Sequence, residues 1–300
     1  MEPKIRTGVI GAGVFGGHHA GKLAAAPSSA LQGVYDPDAG RARSLADRYG
    51  CAVFADAPSL IAAVDALTIA SPASTHGGLV RAALEAGRHV YVEKPLAETE
   101  AEARALAGLA RARGLVLQVG HQERTQFAAM GLFSAPPPRR VVAVRAGPFS
   151  GRADDVSVTS DLMVHDIDLV LSLMGSDPIH VAARGRKAHT RHWDEIEAEL
   201  TFIGGATASL HASRMRETRE RQMSLAWVHG RLEIDFLARR FDNATPLQLD
   251  RDYAGKIPDP LGAWVSAFLA AVRGEGPAPM DPVDAARAVA VVAEIDRCAV

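Results

Sequence analysis

Two short stretches of this 300-residue chain carry side chains suited to moving a proton beside a developing charge. In SDLMVHDIDLVLSLMG, residues 160–175, Asp161 and His165 stand four apart, so a helix brings them to one face, with Asp168 three further on. A carboxylate beside an imidazole orients the ring and helps it pass a proton. In VYVEKPLAET, residues 90–99, an apolar run ends on Glu93 and Lys94 and is stopped by Pro95. A lysine is costly to bury unless its charge is used. Pro95 fixes its own backbone and pushes Lys94 away from helical geometry, so Lys94 reads as a positioned cation.

A third stretch, TGVIGAGVFGGHHAGK, sets Gly11, Gly13 and Gly16, with Val14 and Phe15 among them, between a short apolar strand and a helical run. Glycines so placed allow a tight turn, close approach of backbone to a pyrophosphate, and close helix–strand packing. Asp36 ends the second strand twenty residues after Gly16, where a carboxylate grips a ribose 2′-hydroxyl. Pro37 and Asp38 follow it rather than an arginine, so a 2′-phosphate would meet like charge. NAD is therefore the expected cofactor, with NADP the less favoured alternative because Arg41 and Arg43 lie nearby. Ser71, Pro72 and His76 close the fourth strand and Glu93, Lys94 and Pro95 the fifth, all at carboxyl ends where open α/β sheets bind ligands. His76 suits a ligand contact or a packing role equally. Lys94 sits where a strand end would deliver it to the nicotinamide ring.

The elements that must position these groups follow from the pattern. Strand-like runs near 7–10, 31–35, 52–54, 66–70, 89–92 and 115–119 alternate with helical runs ending on Gly87 and Gly114, which predicts a doubly wound parallel sheet over residues 1–120. After the proline-rich APPPRR, one helix over 161–175, with Ser160 as its N-cap, is followed by strand-like runs at 179–184, 196–202, 206–211, 222–228 and 231–236. Strands in succession predict a mainly antiparallel sheet in a second α/β domain, residues 121–300, closed by helices over 260–273 and 282–298. His121, Glu123 and Arg124 leave the sixth strand toward a substrate. Arg214, with Arg216, Arg219 and Arg221, offers guanidinium groups for a phosphate, although Glu217 and Glu220 interrupt the run.

A formal net charge of −2 gives no general case for nucleic-acid or acidic-membrane binding. Cys51 and Cys298 are far apart and without metal-ligand spacing, so neither a disulfide framework nor a metal is expected. The N-terminus lacks a secretory pattern, and AARAVAVVAEI is too short and too interrupted to span a bilayer, which predicts a cytoplasmic protein.

With GAGVFG, EKP and DLMVHDIDL in that order, the chain resembles the Gfo/Idh/MocA oxidoreductase family. The resemblance implies a Rossmann domain followed by a domain with a large open sheet that often joins copies into homo-oligomers. It also implies a catalytic set of Lys94, Asp161 and His165, and a cis Lys94–Pro95 bond. Members often carry glycines before the aspartate, where this chain has VSVTS, so the local loop departs from the pattern. The expected reaction is NAD-dependent oxidation of a secondary hydroxyl of a sugar or sugar nucleotide, with Lys94 and His165 alternative first acceptors of the proton. VGHQER looks like the branch that oxidises the 3-hydroxyl of UDP-N-acetylglucosamine. An inositol or free-sugar dehydrogenase is the alternative. An NAD-dependent glycoside hydrolase and a non-catalytic sugar sensor are the readings of another class.

Overall fold

The computed structural model describes residues 3–151 and 153–300. They form two compact units, residues up to Gln122 with Asp259–Ala286, and Glu123–Pro258 with Arg287–Val300.

In the first unit β1 (Ile5–Ile10), α1 (Val14–Ala25), β2 (Ser29–Tyr35), α2 (Ala39–Tyr49), β3 (Ala52–Val53), α3 (Ala57–Ala63), β4 (Ala66–Ile69), α4 (His76–Glu85), β5 (His89–Val92), α5 (Glu100–Ala112) and β6 (Leu117–Val119) alternate. The six strands pair in parallel in the order β3-β2-β1-β4-β5-β6. Parallel strands covered on both faces must be apolar throughout, and β4 is buried at every position. Helix ends follow local chemistry: Asp38 caps α2 by accepting from Gly40 and Arg41 N–H, and Gly50 stops it at φ 65°. The order reverses between β1 and β4, and the glycine loop after β1 opens there.

The second unit contains α6 (Glu123–Met130), β7 (Arg140–Pro148), α7 (Val164–Met174), β8 (His180–Arg186), β9 (Glu195–Thr201), β10 (Thr207–Ser213), β11 (Met215–Trp227), β12 (Gly230–Asp235), β13 (Arg240–Asn243) and α8 (Tyr253–Lys256). Its seven-stranded sheet runs β13-β12-β11-β7-β10-β9-β8, antiparallel except where β10 pairs with β7. One face carries Ile196, Ala198, Leu200, Leu210, Met223 and Leu225, which pack with Ile167, Val170 and Leu171 of α7 in one apolar core. The alternate residues on β9 and β10, Glu197, Glu199, Ser209 and His211, lie on the other, partly exposed face.

The chain then returns. Sequence alone assigns everything after 120 to the second domain, yet α9 (Pro260–Val272) packs in the first unit. Trp264 Nε1–H donates to Val119 O at 2.9 Å, Gln118 Nε2 donates to Trp264 O at 2.8 Å, and Phe268 lies edge-on to Tyr91 at 5.9 Å. These contacts fasten α9 to β6 and β5. α10 (Pro282–Cys298) ends the fold. Among the described residues no helix is long and apolar enough to cross a membrane.

The expected single α-helix over 161–175 is a π-helical turn, Thr159–Met163, running into α7. Asp296 causes the difference: its carboxylate accepts from Thr159 Oγ1 at 2.5 Å and Ser157 Oγ at 2.6 Å, clasping the chain before α7 begins. Ser160 does not cap the π turn: Val158 precedes it, and Ser157 Oγ accepts from Ser160 N–H at 3.3 Å. A π turn of this kind is frequent at functional sites. Gly175 ends α7 at φ 65°, as expected.

Candidate active site

The first unit builds a cradle around its glycines. A Cβ added at Gly16 would lie 1.7 Å from Gly11 O, and one at Gly11 would lie 2.6 Å from Ala70 O, at a φ of 97°. Both must be glycine. At Gly13 an added Cβ would meet nothing within 4 Å, so the space above the loop is open to a ligand. Gly13 caps α1 without a side-chain hydrogen bond, leaving the first backbone N–H groups of a twelve-residue helix for an anion. Val14 and Phe15 are exposed at that helix start. Asp36 braces the cradle, accepting from Ala12 N–H at 2.7 Å and from Asp38 N–H at 2.8 Å. Each carboxylate oxygen keeps a lone pair, so Asp36 can still accept a ribose hydroxyl. These residues fit a dinucleotide.

The Glu93-Lys94-Pro95 turn is held by histidines. His19, buried on α1, places Nε2 2.7 Å from Glu93 Oε1, and a Cβ at Gly120 would come within 2.7 Å of Glu93 Oε2. The Lys94–Pro95 peptide is cis. His76 is not turned toward a ligand: its Nδ1 lies 2.7 Å from Pro95 O and its Nε2 2.9 Å from Ser71 O, so it ties the end of β4 to the segment after β5. Ser71 bonds Thr75 at 2.6 Å, and the carbonyl of Pro72 accepts from Thr75 Oγ1. Lys94 is half-buried, and His121, expected to meet substrate, is buried.

Burial holds the His76 imidazole below its ordinary value, with the Pro95 and Ser71 carbonyls offsetting only part of that effect. A group with a depressed value in the folded state stabilises the fold above its unfolded value. That contribution falls as pH drops below about 6.5, where the unfolded chain gains a proton that the buried ring resists. His76→Gln should therefore flatten the loss of stability between about pH 6.5 and 5. Denaturant midpoints measured against pH for both proteins test this, and parallel curves would refute it.

In the second unit, Glu123 and Arg124 open α6 and are buried. Arg124 forms a two-point pair with Asp168 at 2.7 and 2.8 Å. Arg145, 2% exposed, forms another with Asp166 at 2.9 Å on both nitrogens and reaches Glu123 Oε1 at 3.1 Å. Glu123 Oε2 in turn stands 2.8 Å from His165 Nδ1, although the two are not aligned as an ideal hydrogen bond. Burial alone would raise the Glu123 carboxyl; His165 and Arg145 outweigh it and hold it well below the usual range. Asp161 lies half-buried in the π turn.

Arg214 departs from the expected phosphate site. Its guanidinium is buried and consumed by the fold, donating to Asp194 at 2.7 Å, to the carbonyls of Ala153 and Val156 at 2.7 and 3.0 Å, and to Thr190 at 3.0 Å. Asp194 also accepts three backbone N–H groups, which with Arg214 hold its carboxyl well below the usual range against the upward pull of burial. Arg214 therefore pins the 188–194 loop. Arg216 and Arg219 are exposed on β11, while burial, then Arg145, pulls the Arg221 guanidinium down.

Sequence reasoning missed His19, Arg145, Asp166 and Asp296. Arg145 did leave a signal: alternation in RVVAVRAGP puts Val141, Ala143 and Arg145 on one face, so a charge falls on the core side of a strand and requires partners.

Comparison with known proteins matches residues 5–121 to an oxidoreductase family model with an NAD-binding Rossmann fold, and residues 132–234 to the GFO/IDH/MocA C-terminal domain. The chain is 37% identical to UDP-N-acetylglucosamine 3-dehydrogenase of Acidithiobacillus ferrooxidans, covering 97% of this chain and 96% of that protein. A solved structure of that enzyme superposes with a TM-score of 0.89 over 99% of this chain and 98% of the other, at 36% identity. An inositol 2-dehydrogenase of Rubrobacter xylanophilus is 31% identical, covering 94% of this chain and 87% of its own.

Proposed function

The chain belongs to the Gfo/Idh/MocA oxidoreductase family, and from that premise we propose that it oxidises the 3-hydroxyl of UDP-N-acetylglucosamine with NAD. The observation that carries the substrate is the 37% identity to the Acidithiobacillus enzyme over nearly the whole chain. An inositol dehydrogenase is the second reading, supported by the 31% identity of the Rubrobacter enzyme. Neither relative supports the hydrolase alternative.

The Gly11–Gly16 loop and the first turn of α1 hold the pyrophosphate, and Asp36 takes the ribose hydroxyls and repels a 2′-phosphate. NAD, when bound, supplies the hydride acceptor. Lys94 stabilises the negative charge that grows on the substrate oxygen, and His165 accepts the hydroxyl proton with Asp161 in support. Glu93 and Pro95 shape the turn that carries Lys94. The open face of the second sheet suits association of identical copies, and the two unpaired cysteines suit a reducing cytoplasm.

The test is NADH formation from NAD with UDP-N-acetylglucosamine, run with a carbonyl trap or an aminotransferase because a 3-keto product can accumulate unfavourably. Turnover should exceed that on myo- or scyllo-inositol by at least about a hundredfold in kcat/KM, the scale on which an enzyme rejects a substrate lacking groups its site is built to bond. Activity on inositol, with neither NADH formation nor binding for the UDP-sugar, would overturn the proposal.

A further inference from the structure

We propose that Glu123 is the positioning carboxylate of His165: it keeps a proton on Nδ1 and so presents Nε2 as the atom that takes the substrate's hydroxyl proton. This rests on the reading of His165 as the base. The spacing of Asp161 and His165 suggested that support would come from one turn earlier on the same helix. Glu123 brings a second carboxylate to the ring from α6.

His165 Nδ1 and Glu123 Oε2 are 2.8 Å apart, within hydrogen-bond reach of one another. A hydrogen on Nδ1 makes the contact attractive, whereas a lone pair there would make it repulsive. The carboxylate carries none, because its surroundings hold it ionised. The hydrogen therefore belongs to Nδ1, and the neutral ring keeps its lone pair on Nε2.

The groups packed around Glu123 make this arrangement rigid. Arg145 on β7 donates to Oε1 at 3.1 Å and is itself fixed by Asp166 on α7. Arg221 on β11 adds positive charge near Glu123 and Asp166, and Arg124 on α6 is spent on Asp168. Glu123 thus shares one carboxylate between the Arg145 guanidinium and the His165 ring. Asp166 offsets Arg145, so the negative charge of Glu123 remains effective toward His165.

The chemistry balances. The C–H bond of the carbinol breaks and its hydride passes to the oxidised nicotinamide; the O–H bond breaks and its proton passes to Nε2; the carbon–oxygen bond becomes a carbonyl. The imidazolium so formed faces Glu123 and then releases one proton to water. The sum is a secondary alcohol and oxidised nicotinamide giving a ketone, reduced nicotinamide and one proton.

The experiment is ¹⁵N-histidine NMR of the full chain, with the His165 signals identified by their loss in His165→Ala. Wild type should show the Nδ1-protonated neutral tautomer, and Glu123→Asp, which keeps the charge and a partner for Arg145, should retain it. Glu123→Gln, whose amide N–H would face the ring, should shift it toward the Nε2-protonated tautomer and lower kcat at least about tenfold, with KM changed less than about threefold. A wild-type ring protonated on Nε2 would overturn the proposal, as would a Glu123→Gln protein whose ring tautomer and kcat are unchanged. The tautomer is read without substrate, so inactivity of wild type toward every sugar would sink the activity reading alone.

Discussion

Arg145→Met should destabilise the protein by about 3–5 kcal/mol, the cost of breaking a buried ion pair from one side. The loss comes from what remains behind. Arg145 is 2% exposed and bonds Asp166 at two points and Glu123 at a third, so its removal leaves two carboxylates buried together with no guanidinium between them. Burial pulls the Arg145 guanidinium down, but Asp166 and Glu123 outweigh it and hold it above its ordinary value. Methionine matches the stem of arginine, so packing near Phe236, whose ring lies 5.9 Å from the guanidinium carbon, changes little. Denaturant unfolding of wild type, Arg145→Met, and the triple variant Arg145→Met, Glu123→Gln, Asp166→Asn makes the test. The triple variant should recover a large part of the loss, because replacing a whole buried ion cluster costs far less than breaking it. If Arg145→Met unfolds at the wild-type denaturant concentration, the cluster does not hold the second unit together.

Arg145 also marks where a sequence can and cannot be read. The doubly wound sheet was legible because its signals are local: glycines after a short strand, a carboxylate at the end of the next, and apolar runs stopped by glycine caps. The end of α7 at Gly175 was legible for the same reason. Its beginning was not, because the π turn answers to Asp296, more than a hundred residues away on α10. The return of α9 to the first unit depends likewise on Trp264 meeting β6. At the site, spacing along one helix selected Asp161 as the partner of His165, and no local pattern could bring in Glu123 from another element. Arg214 was misread because a run of arginines was taken as one surface. Arg214 stands at the join between β10 and β11, where sequence neighbours do not share surroundings, and the partner that consumes it is Asp194. Charge pairs far apart in sequence are set by tertiary packing, and a single chain's spacing does not encode them.

Lys94→Met should lower kcat at least about a hundredfold while leaving the protein folded and able to bind NAD, the scale expected for removing a positioned group that stabilises charge in the transition state. The turn that carries Lys94 is shaped by its neighbours: Glu93 is tied to His19, the carbonyl of Pro95 to His76, and Gly120 leaves room for the Glu93 carboxylate. The cofactor cradle lies on other strand ends, at Gly11–Gly16 and Asp36, where Asp36 braces the loop through Ala12. Losing the Lys94 charge should therefore leave the NAD dissociation constant within about threefold of wild type, whereas kcat and kcat/KM fall together, the signature of an interaction made only in the transition state. Methionine preserves the length and apolar stem of lysine, which separates charge from packing. Titration of NAD by calorimetry and steady-state rates with the UDP-sugar give both quantities on one preparation. A variant that binds NAD normally and turns over at near the wild-type kcat would remove Lys94 from the reaction, and one that loses NAD binding would make it part of the cofactor cradle instead.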